Sequence, residues 1–182
     1  FPGPVSKLII FFLFLTYVIL EIPPIFIKAD GVLFLSLLSG RNPEYLIEQH
    51  IKSIPILKNS NLEVLPTGYI LVDGQKETAV QRISNTQPIL QSEITTIEHT
   101  ALAGEYAGKK LIYLEAGSGA AVPVNATIIN TVKANLSIPL IVGGGIRTKQ
   151  QLTTAFKAGA DLVVIGTAFE NDTSFFKDLK KQ

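Results

Sequence analysis

Two glycine turns set one helix apart constrain this chain more than any other feature. In residues 139–167 (PLIVGGGIRTKQQLTTAFKAGADLVVIGT) the short apolar run Leu140-Ile141-Val142 stops at Gly143-Gly144-Gly145. Between the turns, Thr148 is placed to cap a helix whose apolar positions Leu152, Ala155, Phe156 and Gly159 recur at helical spacing. Gly159 ends that helix, residues 162–165 form the next buried strand, and Gly166-Thr167 closes it.

The glycines carry the chemistry. A phosphate group is held well where several backbone N–H groups converge near the positive end of a helix. Glycine lets the backbone approach that closely because no Cβ intervenes. Two such turns on consecutive parallel strands resemble the phosphate grip after strands 7 and 8 of a (β/α)8 barrel. The plainer alternative is a pair of tight βα turns and nothing more.

The same rhythm runs back through the chain. Residues 32–38 (VLFLSLL) form a near-continuous apolar run, as in a strand covered on both faces. Pro43 opens a helix reaching about Lys58, with Tyr45, Leu46, Ile47, His50, Ile51 and Ile54 on its apolar face. Residues 62–72 are the next strand, with Pro66-Thr67-Gly68 marking a bulge or irregularity. A long polar loop follows over 73–88, and loops of that length are usually functional. Helices are predicted at 92–106, 123–136 and 173–180, and a strand at 111–114. Alternating strands and helices with short links mean a parallel sheet with right-handed crossovers.

Length and charge narrow the functions. The 182 residues suit one domain with a real core, and the net charge of +1 lacks the basic excess of nucleic-acid-binding surfaces. There is no cysteine, and His50 and His99 are the only histidines, so thiolate and histidine-rich metal sites are excluded. Both histidines are expected on helix surfaces. A chain that begins at Phe1 and contains no methionine reads as a fragment or a processed piece. Residues 8–27 (LIIFFLFLTYVILEIPPIFI) stand apart from this pattern. The run is too short and too broken by Pro23-Pro24 for an ordinary membrane span, and Lys7 alone is a poor start for a secretory signal. Three readings stay open: a core-seeking or misplaced insertion, a membrane-associating helix, or an artefact of gene prediction.

Five stretches in order, LFLSLLSGRNPEYLIEQH, LPTGYILVDG, YLEAGSGA, IVGGGIRT and VVIGTAFE, resemble the geranylgeranylglyceryl phosphate synthase family, which includes the heptaprenylglyceryl phosphate synthases. The resemblance runs from about Ala29 to the C-terminus, with Phe1-Pro2-Gly3 as a further stub. It implies an α/β fold, an incomplete (β/α)8 TIM barrel whose first two to three βα units are missing. Residues 1–182 would be one partial barrel domain, with 8–27 an atypical apolar insertion. It implies a prenyltransferase that joins a polyprenyl (geranylgeranyl-type) diphosphate to sn-glycerol 1-phosphate through an ether bond in phospholipid biosynthesis. Such an enzyme is cytoplasmic, associates as a homo-oligomer, touches the membrane surface for its lipid substrate and uses Mg2+. In the family the magnesium ligands come from the first two strands, which this chain lacks, so no metal ligand is named here.

Carried over residue by residue, Tyr113, Leu114, Glu115, Ala116, Gly117, Ser118 and Gly119 bind the glycerol phosphate. Gly144, Gly145, Gly166 and Thr167 hold its phosphate, and Glu115 takes the glycerol hydroxyls as the catalytic residue. The residues read alone agree on Glu115: a carboxylate at the C-terminal tip of a barrel strand sits where active sites form, and it can orient an attacking hydroxyl and take its proton. Its alternative role is pairing with a local cation or N–H groups. Tyr113 either donates its hydroxyl to the site or is a core tyrosine, and Ser118 is a phosphate donor or a turn hydroxyl. Arg147 either complements charge or clamps structure. Lys76 and Arg82, in the polar loop, are candidates for diphosphate contacts. Competing functions are a sugar-phosphate isomerase or aldolase, which needs a catalytic lysine or paired carboxylates where the strand ends offer only Glu115 and Asp73, and an inactive or membrane-associating fragment.

Overall fold

The computed structural model describes residues 30–168, so the expectations for residues 1–3, 8–27 and 173–180 lie outside the described residues. The order is β1 (Gly31–Leu37), a π-helical turn (Glu44–Glu48) running into α1 (Gln49–Leu57), β2 (Glu63–Leu71), α2 (Ala79–Ser84), α3 (Ile94–Tyr106), β3 (Leu111–Glu115), α4 (Ala126–Asn135), β4 (Leu140–Gly143), α5 (Lys149–Lys157) and β5 (Leu162–Val164). All neighbouring strands are parallel and the spatial order β1-β2-β3-β4-β5 repeats the chain order. Every step goes the same way round, as in one arc of a barrel wall.

Alternation along the strands divides the apolar side chains into two layers. Ile70, Ile112, Leu114, Leu140 and Val142 face the helices and pack with Ile97, Ala101, Ile128, Ile129 and Val132 of α3 and α4. Leu37, Tyr69, Leu71, Tyr113 and Ile141 face the concave side. Each of these fully buried aliphatic side chains stabilises the fold by about 1.5–3 kcal/mol relative to exposure. Thr148 caps α5 as its sequence predicts: its hydroxyl accepts from Gln151 N–H, and the Gln151 side chain returns a bond to the Thr148 backbone. Among the described residues, no helix is long and apolar enough to cross a membrane.

Several local expectations are corrected. The strand β2 runs through Pro66-Thr67-Gly68 without a bulge, pairing in unbroken register from Gly31↔Glu63 to Leu37↔Tyr69. The Pro66 carbonyl accepts from Lys110 N–H at 2.8 Å, just before β3 begins. The proline nitrogen therefore faces past the end of its neighbour, where a missing N–H costs nothing. The polar loop contains α2, capped by the Thr78 hydroxyl accepting from Gln81 N–H at 3.1 Å. His50 is buried rather than on a surface, with its ring nitrogen 2.8 Å from Leu35 O and its ring against Phe34. The helix that carries it turns His50 and Ser53 inward, leaving Ile47, Ile51 and Ile54 at least 47% exposed. Phe156 is likewise outside, since Leu152 and Ala155 occupy the side of α5 that meets the sheet.

Candidate functional site

Glu115 is the last residue of β3, one residue further than the predicted strand end, and its side chain shares the concave face with Tyr113. Its neighbours across the sheet are Leu71 on one side and Gly143 on the other. The residue is 5% exposed, and each carboxylate oxygen accepts one hydrogen bond. The Tyr113 hydroxyl donates to Oε2, and Gly117 N–H donates to Oε1 at 2.9 Å.

The turn after β4 is shaped around this carboxylate. A Cβ on Gly143 would stand 2.5 Å from both Glu115 Oε2 and the Tyr113 hydroxyl. Gly144, with φ +83°, comes close enough that a Cβ would lie 2.7 Å from Glu115 Oε1 and 2.6 Å from Gly117 N. Only glycine fits both the conformation and the space.

Electrostatics at the site follow from burial. Desolvation pushes the Glu115 carboxyl up to about 7, against the smaller opposing effect of the hydrogen bonds from Tyr113 and Gly117. Burial, and then the nearby Glu115 charge, holds the Tyr113 and Tyr69 hydroxyls well above the usual range for tyrosine. Both phenols therefore remain protonated donors at any physiological pH.

A cavity of about 130 Å3 opens on this arrangement. It is lined by Tyr113, Glu115, Gly117, Ser118, Gly119, Gly144, Gly145, Gly166 and Thr167, so nine of the residues singled out in the sequence meet around one space. The side chains of Leu114 and Ala116 do not join them: both are fully buried on the helix side, and Ala116 contributes only its N–H, to Gly143 O at 3.0 Å. Arg147 also lines the cavity, and it acts as a clamp. Its guanidinium donates to the carbonyls of Gly119, Ala120 and Ala121 at 3.3, 2.5 and 3.3 Å, tying the turn after β4 to the loop after β3. Arg82 pairs with Glu77 at 3.3 Å and is not among the residues lining the cavity, whereas Lys76 stands beside Gly119.

Tyr69 escaped the sequence reading. It pairs with Tyr113 in the β2–β3 register, and the two rings meet edge to face at 5.2 Å. Its hydroxyl is buried with no hydrogen-bond partner among the described residues. The signal that would have found it is parity, since Tyr69 and Leu71 point to the same face of β2 as Tyr113 and Glu115 do of β3.

Among the described residues, no group of three or more His, Asp or Glu could hold a metal ion. Among the described residues, Glu115 is the sole carboxylate lining the cavity. These residues do not assemble a magnesium site.

Comparison with known proteins agrees with this geometry. The model of the PcrB family matches residues 15–182. The geranylgeranylglyceryl phosphate synthase of Zunongwangia profunda is 66% identical over 144 residues, covering 79% of this chain and 62% of its own length. That of Pyrococcus furiosus is 43% identical over 153 residues, covering 84% and 60%. Among solved structures, the (S)-3-O-geranylgeranylglyceryl phosphate synthase of Thermoplasma acidophilum, in complex with its substrate sn-glycerol-1-phosphate, superposes with a TM-score of 0.77 at 36% identity over 84% of this chain and 61% of that one. The chain thus spans about three fifths of the length of the relatives it matches.

Proposed function

This chain belongs to the PcrB family, and on that premise we propose that its concave face binds sn-glycerol 1-phosphate and transfers a polyprenyl group to it from a polyprenyl diphosphate. The observation that carries the reading is the position of Glu115. It is a buried carboxyl, pushed up to about 7, at the strand tip facing the glycine turns Gly144-Gly145 and Gly166-Thr167 across one small cavity. The solved relative from Thermoplasma acidophilum, with sn-glycerol-1-phosphate bound, supports the choice of acceptor.

The chemistry asks for a held hydroxyl and somewhere for its proton to go. The glycine turns receive the phosphate of the acceptor, leaving its glycerol hydroxyls toward Glu115. The hydroxyl oxygen attacks the allylic carbon that carries the diphosphate. A carbon–oxygen ether bond forms as the bond to diphosphate breaks, and diphosphate leaves with that electron pair. The hydroxyl proton passes to the ionised Glu115. A base with a pKa near the working pH is well matched to this task. Tyr113 and Gly117 fix the carboxylate's orientation, so the acceptor meets a preorganised base. A separate hollow of about 680 Å3 lies between α4 and α5, walled by Val122, Val124, Ile129 and Ile146 together with Gln91 and Gln151.

The test is calorimetric titration of the 182-residue chain with sn-glycerol 1-phosphate and, separately, with its 3-phosphate isomer. Preferential binding of the 1-phosphate is expected. Binding of neither, or of both alike, would sink the assignment.

A further inference from the structure

The segment from Asp73 to Thr78 lies across the loop that follows β3, and it is pinned there at both ends. At one end Gly74 packs so tightly that a Cβ would collide with Ala116 O and stand 2.6 Å from the Ala120 Cβ. The Gly74 carbonyl accepts from Ala121 N–H at 2.8 Å and Val122 N–H at 3.2 Å. At the other end Thr78 is buried, and its Cγ2 fills the space a side chain on Gly117 would need.

Between these anchors the chain turns through Gln75, a non-glycine residue at φ +57°, with its N–H donating to Asp73 Oδ1 at 2.9 Å. A side-chain-bearing residue in that region is disfavoured and persists where its surroundings hold it. The outcome of this turn is the placement of one side chain. Lys76 Nζ lies 3.4 Å from the position of a Cβ on Gly119, and Gly119 is part of the cavity wall that holds Glu115.

Two other cations named in the sequence are committed. Arg147 is spent on three backbone carbonyls, and Arg82 on Glu77. Lys76 has no hydrogen bond or ion pair with any described residue. Backbone N–H groups bring only partial charge to a phosphate, whereas a lysine ammonium brings a full one.

We propose that Lys76 binds a phosphoryl group of the substrate at the mouth of this cavity, adding the full positive charge that the glycine cradle lacks. The inference rests on the reading of the site given above. The phosphoryl group belongs to either the glycerol phosphate or the diphosphate of the prenyl donor, and two titrations separate these sources.

The experiment uses the 182-residue chain and its Lys76→Gln and Lys76→Arg variants, checked for equal folding by thermal melting. Each is titrated calorimetrically with sn-glycerol 1-phosphate and with inorganic diphosphate, at low and raised salt. Lys76→Gln is expected to weaken at least one ligand by about tenfold and to flatten its salt dependence. Lys76→Arg is expected to keep most of the affinity. The weakened ligand identifies the source of the phosphoryl group. If the wild-type chain binds sn-glycerol 1-phosphate and Lys76→Gln binds both ligands equally well, the role of Lys76 is overturned while the function stands. If the wild-type chain binds neither ligand, both fall together.

Discussion

The Tyr113 hydroxyl donates to the carboxylate of Glu115 from two residues back along the same strand. This bond favours the ionised form of a carboxyl that burial otherwise pushes toward neutrality. Removing it by Tyr113→Phe is therefore expected to shift the Glu115 titration to higher pH, by about one unit. The pH profile of kcat/KM reads this directly. In the wild-type protein the acid limb should bend near pH 7, since the base works only when ionised, and in Tyr113→Phe the bend should move alkaline. An unmoved bend would mean that another group is the base.

Burial of Glu115 also bears on stability. Its pKa is about 7 in the folded protein against 4.5 for a free glutamate. Between those two values the unfolded chain gives up a proton that the folded one keeps, so stability falls as pH rises across that window and is flat above it. The full effect is on the order of 3 kcal/mol. Glu115→Gln removes it, so this variant should melt higher than wild type at pH 8 and alike at pH 4. The same variant should lose activity by about a hundredfold or more.

Gly143→Ala tests whether the turn is shaped around the Tyr113–Glu115 pair. The added methyl would press on both side chains at 2.5 Å, and neither can retreat from a buried face. A loss of about 1–3 kcal/mol in a denaturant titration is expected, together with weakened glycerol phosphate binding. A variant as stable as wild type would show that the pair has room to shift.

Arg147→Ala should separate clamping from chemistry. The residue holds the carbonyls of Gly119, Ala120 and Ala121, a positioning contact. A rise in KM for glycerol phosphate of about tenfold, with kcat within about twofold, is the expected split. A fall in kcat alone would place the guanidinium on the reacting groups.

The sequence was most legible where structure is local. The strand, glycine turn and capped helix over residues 140–157 can be read from adjacent residues, because Thr148 and Gln151 bond to each other's backbone. Glu115 at a strand tip was legible for the same reason. Tyr69 was not, because its importance comes from the register that sets it beside Tyr113, and no short-range pattern encodes register. The face of α1 was misread because periodicity locates an apolar stripe without saying which side meets the sheet. In α1 the buried positions are His50 and Ser53, each satisfied by a backbone carbonyl, Leu35 O for the ring and His50 O for the hydroxyl. Pro66 misled in a similar way, since its cost depends on how far the neighbouring strand extends.

Strand order that repeats chain order has one more effect. Among the described residues, those lining the cavity fall between positions 113 and 167, so its wall is built by two successive βα steps. Loops of that size close cheaply and early. The wall should therefore form largely from contacts short in sequence, with the 73–78 segment of the preceding step packing onto it.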